Sequence, residues 1–387
     1  MISYNILKKV TEYIEIIFND LKNIDAEQLE KIYHSIKKSG IVIPSGEGRA
    51  KGALSIGVSE MAKSRNGKIV IDRSDIGFPG RTISEAAPIL KKRYGHISLF
   101  INSSSGQSLV PLLDAQNFAD YITSTENQTE YSIDLITSKS DSPLARLSSK
   151  YGNMLVIKTK GLKKTDFNSA FKTTGIIEDT FSLSSGVLIN AFAIAINREK
   201  SASEIPKIIQ ELKKDVKTII NNEVKTNFFQ QIINILIQKR SCFFAGLGSS
   251  QEVARISAVR LGHIKLALGD NVYVAGETTT PSPRPGDLLI AISGSGETEI
   301  IAGWCRNFKK MGGIVASITG KKNNTIKSLS DYSIVIDSKT HQIEPNDFYI
   351  KAAFALSPLP IFFVDKLEEM GITLPEYITK WRKSIIK

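Results

Sequence analysis

The run Ser293-Gly294-Ser295-Gly296-Glu297-Thr298 sets three hydroxyls and two glycines between the apolar segment 288–292 and an amphipathic stretch from Glu299 to Lys310. A turn of this kind, opening a helix, aims backbone N–H groups at one point. There they hold an anion, while Ser293, Ser295 and Thr298 add hydroxyl donors. Gly296 lets the ligand come close to the backbone. Upstream, Gly246-Leu247-Gly248-Ser249-Ser250 follows another apolar segment, 242–245. In a parallel sheet both turns fall at the same carboxyl edge, where open α/β sheets bind their ligands. A Gly-x-Gly turn alone suggests a dinucleotide, but the third glycine is missing from its expected place and no acidic residue follows at a ribose-binding strand end. The chemistry indicated is capture of one dianionic phosphate ester.

These turns need strands and helices to hold them, and the chain writes those elements twice. Gly40 to Ser59, with its Gly46-Glu47-Gly48 turn, matches Ser241 to Val259 in pattern: short apolar strand, Gly-x-Gly, helix. Ser98 to Ser108 matches Leu288 to Thr298, so that Ser103, Ser105 and Ser108 form a second candidate phosphate loop. Ile133 to Ser148 pairs with Ile314 to Ser330, and Ile177 to Ser184 with Ile350 to Ser357. Four blocks in one order indicate duplication. The expected division is 1–199 and 200–387. Short apolar strands alternate with helical segments in each half, the pattern of a parallel sheet with helices on both faces. Apolar spacing predicts a long helix ahead of each unit, from Lys8 to Lys38 and from Glu204 to Lys239. The first half carries extra loop between Arg73 and Gly95. A closing helix is expected behind a capping box at Thr373 and Glu376.

Composition narrows the function classes. The 387 residues suit two domains, and 42% hydrophobic with 23% charged residues is ordinary for globular cores. No apolar stretch reaches the roughly 20 residues of an uninterrupted membrane span, and the amino terminus lacks the order of a secretory leader. The expected location is therefore the cytoplasm, with no membrane partner. Cys242 and Cys305 lie in apolar runs suited to packing, and the four histidines are not clustered, so no metal site is expected. The net charge of +11 attracts anions, yet the lysines are spread over helix faces and do not form an aromatic-rich strip, which argues against nucleic acid.

The blocks Gly246-Leu-Gly248-Ser-Ser, Gly276-Glu277-Thr278-Thr-Thr-Pro281 and Ser293-Gly-Ser-Gly-Glu-Thr298 together resemble sugar isomerase (SIS) domains, and within them most of all 6-phospho-3-hexuloisomerase. The resemblance implies two tandem SIS domains, each a flavodoxin-like three-layer sandwich, related by a pseudo-two-fold. It implies an aldose-ketose isomerase working through an enediol without a cofactor, on a small sugar phosphate, and leaves open a homodimer. It implies that Gly248, Ser249, Ser250, Ser293, Ser295, Gly296 and Thr298 hold the phosphate. A late-helix glutamate is the family's base, and the position aligned with it is Lys351 in the second half but Glu178 in the first. Likewise the family's arginine after Gly-x-Gly is Ser249 in the second half but Arg49 in the first, while Ala50 stands opposite Ser250. A composite site is therefore expected, with the clamp from the second half and Glu178 as base from the first. Arg49 would assist the enediolate, Glu277 and Glu297 are further carboxylates, and His263 would open the sugar ring by acid catalysis. The alternatives are a non-catalytic sugar-phosphate sensor, or an isomerase of the glucose/mannose-6-phosphate or glucosamine-6-phosphate type.

Overall fold

Strands β1 (Ile41–Gly46), β3 (Ile97–Asn102) and β4 (Tyr131–Thr137) are buried along their whole length, as are β6 (Cys242–Ala245) and β8 (Leu288–Ser293). Continuous burial is what a parallel sheet covered on both faces requires of its central strands. With β2 (Ile69–Val70), β5 (Gly152–Val156), β7 (Val272–Val274), β9 (Ile314–Thr319) and β10 (Tyr332–Val335), they form two five-stranded sheets ordered β2-β1-β3-β4-β5 and β7-β6-β8-β9-β10. Every pairing is parallel, and the registers correspond: Ile41 lies opposite Ile97 as Cys242 lies opposite Leu288. The computed structural model describes residues 4–63, 66–126, 128–158, 180–225, 227–238, 240–276, 279–338 and 344–372. Glu178, Glu277 and the closing capping box at Thr373 and Glu376 lie outside them.

The helix expected from Lys8 to Lys38 is two helices, α1 (Tyr4–Lys22) and α2 (Ala26–Lys38). Asp25 ends the continuity by accepting a hydrogen bond from the Gln28 amide at 2.9 Å, an N-cap inside a run whose apolar spacing does not change. The second leading helix is divided in the same way, into α8 (Ile205–Lys225) and α9 (Phe228–Leu236), with Asn227 at φ 57° between them. The extra segment of the first half is also more than loop. Beyond Gly77, Pro79 and Gly80 it folds into α4 (Ile83–Tyr94), capped by the Thr82 hydroxyl.

Helices α3 (Gly48–Ala62) and α7 (Thr180–Asn197) of the first half pack on their counterparts α10 (Ser249–Lys265) and α13 (Phe348–Leu356) of the second, and α1 packs on α8. The halves thus meet about a pseudo-two-fold through matching elements. A Cβ on Gly52 would lie 2.6 Å from Cγ1 of Ile256, and one on Gly186 would lie 2.9 Å from Cδ1 of Ile350. Phe18 stacks on Phe354 with ring centroids 5.7 Å apart. One apolar cluster consequently runs through both halves, containing Phe192 and Leu188 as well as Phe354 and Phe363. Each half also has an apolar cluster of its own, with Leu144 of α6 (Pro143–Tyr151) in one and Ile326 of α12 (Thr325–Ser328) in the other. Two segments, Thr180–Asn197 and Phe348–Glu369, are long and apolar enough to cross a membrane, and the most apolar 18-residue stretch of each is 94% and 89% buried. We propose the division between the halves at 199/200, beside Glu199, whose φ of 54° turns the chain out of α7.

Filling the gap at Gly52 tests the joint between the halves. Gly52→Val should cost about 1–3 kcal/mol of stability by overpacking. Adding Ile256→Ala should return part of it, with thermal melts of the two variants and the double variant as the measurement.

Candidate functional site: a hydroxyl-lined loop at the edge of each sheet

Strand β8 delivers Ser293 to the carboxyl edge of the second sheet. Its Oγ accepts from the Gly296 amide at 3.1 Å and pairs with Thr298 Oγ1 at 3.0 Å. Ser295 Oγ accepts from the Glu297 amide at 3.1 Å and lies 3.5 Å from Ser293 Oγ. Thr298 is the N-cap of α11 (Glu299–Lys310), yet its hydroxyl makes no bond to that helix and turns to Ser293. Three hydroxyls therefore converge at a helix end that a side-chain cap would otherwise close. Gly296 has φ 72°, and a Cβ there would collide with Asn324 at 2.2 Å, so only glycine fits. The carboxylate of Glu297 accepts from both the amide and the hydroxyl of Thr325, and these bonds hold its pKa below the ordinary value. Glu297 thereby ties the loop to the first residue of α12.

Strand β6 lies beside β8, so the Gly246-Leu247-Gly248 turn stands next to this loop. Gly248 takes φ 58°, and Ser249 and Ser250, both buried, open α10. The Ser249 hydroxyl is committed across the joint between the halves: it donates to Glu60 Oε1 at 3.2 Å and accepts from Lys63 Nζ at 3.2 Å. Glu60 is fully buried, pairs with Lys63 at 2.7 Å, and accepts from the Asn346 amide at 2.7 Å. Asn346 in turn accepts from the Phe348 amide at 2.8 Å, and the Phe348 ring packs on Gly294 of the loop.

Lys351, one turn into α13, is 3% exposed and paired with Asp347 at 2.6 Å and Asp215 at 2.7 Å. Burial works against its charge, but Asp347 and Asp215 more than offset this and raise its pKa above the ordinary lysine value. A lysine held this way is a fixed cation, not a base.

The loop of the first half has the same construction. Ser103 Oγ pairs with Ser108 Oγ at 3.1 Å, the Gln107 amide donates to Ser105 Oγ at 3.2 Å, and Gly106 takes φ 62°. Arg49, half-buried in the first turn of α3, stands at the edge of this first sheet because β1 lies beside β3. The Ser103 loop leaves the neighbouring strand β3 at the same edge. His263 is half-buried in the last turn of α10. Glu60 and Lys63 tie the first half to the second-half turn by hydrogen bonds to Ser249. No motif singles out either of them. The available signal was a carboxylate, Glu60, among the small and apolar residues of α3.

The profile of the SIS domain matches residues 235–364. The 3-hexulose-6-phosphate isomerase of Methanocaldococcus jannaschii is 32% identical over 130 residues, which cover 34% of this chain and 69% of that protein. The chain belongs to the SIS domain family. An uncharacterized protein of Aeropyrum pernix is 34% identical over 142 residues, 36% of this chain, and the chain spans 65% of its length. The tagatose-6-phosphate ketose/aldose isomerase of Escherichia coli shares the fold, with a TM-score of 0.60 and 14% identity over 95% of this chain and 94% of that one. The profile match falls on the second SIS unit, whereas the likeness of fold takes in both.

Removing the Glu60 carboxylate separates its support of the second SIS unit from general packing. Glu60→Ala leaves the Asn346 amide and Lys63 without their buried acceptor and should cost about 1–3 kcal/mol. Glu60→Gln, which keeps one acceptor, should lose less, as read by denaturant titration.

Proposed function

We propose that this chain is a sugar-phosphate isomerase of the 6-phospho-3-hexuloisomerase kind. The observation that carries this reading is the turn of Thr298 away from its own helix toward Ser293, which gathers Ser293, Ser295 and Thr298 at an open helix end. A phosphate dianion there is bound by charge-assisted hydrogen bonds and by the helix dipole. Gly248 and Ser250, on the neighbouring turn, are proposed to complete the phosphate site with Gly296. Isomerisation removes a proton from the carbon next to the carbonyl and returns it to the adjacent carbon, while a hydroxyl proton moves between the two oxygens; one carboxylate and the fixed charges around the enediolate suffice. Glu178 and Glu277 are the candidates for that carboxylate that the family resemblance supplies. Arg49, in the first turn of α3, is proposed to assist the enediolate, and His263, in the last turn of α10, to open the sugar ring by acid catalysis.

A second reading is a non-catalytic sugar-phosphate sensor. It is favoured by Lys351, an ion-paired cation at the position aligned with the family's base. Turnover decides between them. With hexulose, fructose, glucosamine and arabinose phosphates in a thermal-shift panel, the true ligand at 100 times its Kd adds about 2.7 kcal/mol. For the isomerase, Glu178→Gln should then lower kcat by about 10²- to 10⁴-fold with binding kept. A chain that binds but shows no turnover is the sensor.

The loop itself gives a separate test. Ser295→Ala and Thr298→Val should each weaken sugar-phosphate binding by about 10-fold or more, the loss of one hydrogen bond to a charged group. Isothermal titration of each variant measures it, and unchanged affinity in both removes the loop from the site.

A further inference from the structure

The two loops are built alike, but a different residue stands over each. In the first half, Glu47 occupies the middle of the Gly-x-Gly turn and is the N-cap of α3, yet its carboxylate makes no bond to that helix. It reaches across to α5 (Leu109–Ser124), the helix opened by the Ser103–Ser108 loop, where Glu47 Oε1 accepts from the Val110 amide at 2.8 Å. In the second half the corresponding residue is Leu247, 41% exposed, which has nothing to offer the amides of α11. The surroundings differ in the same sense. Beside the first loop a cavity of about 240 Å³ is crossed by ion pairs that satisfy one another, Lys51 with Asp72 at 3.1 Å and Arg73 with Asp114 at 3.0 Å, and Ser45 donates to Asp114 at 2.7 Å. Counted from the paired loop serines Ser103 and Ser293, Asp114 corresponds to Trp304, and counted from the paired glycines, Lys51 corresponds to Gln251.

We infer that Glu47 is a built-in anion seated on the helix end of the first loop, so that the chain takes one phosphate ester, at the second loop, and not two. This rests on the second loop's being the ligand site. A carboxylate on the first turn of α5 already draws on the favourable field of that helix end, and a dianion brought to Ser103, Ser105 and Ser108 meets a like charge there. The first loop has kept its shape because the hydroxyl pair and Gly106 serve the fold. Gly106 O accepts from the Leu144 amide at 3.2 Å, and a Cβ on Gly106 would strike Ser142 at 2.0 Å.

The test is phosphate stoichiometry on the full chain, with inorganic phosphate as the probe in equilibrium dialysis. Wild type should bind one phosphate per chain and Glu47→Leu should bind two, the added one disappearing when Ser103→Ala and Ser108→Ala are combined with it. Glu47→Gln, which keeps the shape and removes the charge, should gain the same phosphate and decides the question if the leucine variant does not fold. A folded Glu47 variant that binds no more than wild type overturns the inference. So does a wild-type chain that loses a phosphate on Ser103→Ala with Ser108→Ala. The reading of the second loop fails by a different result, a wild-type phosphate that survives Ser293→Ala with Thr298→Val.

Discussion

The close approach of α3 to α10, which a glycine at position 52 permits against Ile256, sets the position of nearly everything else in the molecule. Two parallel sheets covered on both faces need helices on their inner sides; here α3 covers β1 and α10 covers β6, and these two helices pack on one another across the joint. Because the joint is this tight, a side chain near the end of α3 can act inside the neighbouring unit. Glu60 does so, reaching the first turn of α10 through Ser249 and the segment ahead of α13 through Asn346. The edge of the second sheet is therefore partly made of first-half atoms, although its loop, strand and helix all belong to one stretch of sequence.

Duplication has preserved backbone and exchanged charge. Counted from Gly48 and Gly248, Glu60 stands where Arg260 stands, Lys63 where His263 stands, and Arg49 where Ser249 stands. The late helix adds Glu178 against Lys351. Strand register, positive-φ glycines and hydroxyl pairs agree between the halves, because they determine whether the sheet and its turns form at all. Side chains at the ends of α3 and α10 are under no such demand. Their divergence leaves two edges of like shape and unlike electrostatics, so a charged ligand suited to one is poorly suited to the other.

Much of this was legible in the sequence, for physical reasons that also mark where it stopped. Strands such as 288–293 announce themselves because buried parallel strands are unbroken apolar runs, and the Ser/Gly turns stand out against them. The division of each leading helix was not legible. Asp25 and Asn227 interrupt the backbone for a few residues while the apolar spacing on either side continues unchanged. The first-half insertion reads as loop because Gly77, Pro79 and Gly80 dominate its start, although Thr82 then caps a full helix. The commitment of Ser249 to Glu60 and the seat of Glu47 on Val110 depend on which helix ends come together in space. No local pattern carries that information.

The burial of Thr180–Asn197 in a core shared with the second half bears on how the chain is made. During synthesis this apolar helix leaves the ribosome after α1 and α3, on which it packs, but before Ile350 and its neighbours, which cover the rest of it, have been translated. For the time needed to add roughly 150 residues, on the order of ten seconds at cellular elongation rates, the nascent first half carries a sticky flank with no native cover. Its safe maturation depends on delaying aggregation until the carboxyl-terminal sequence emerges.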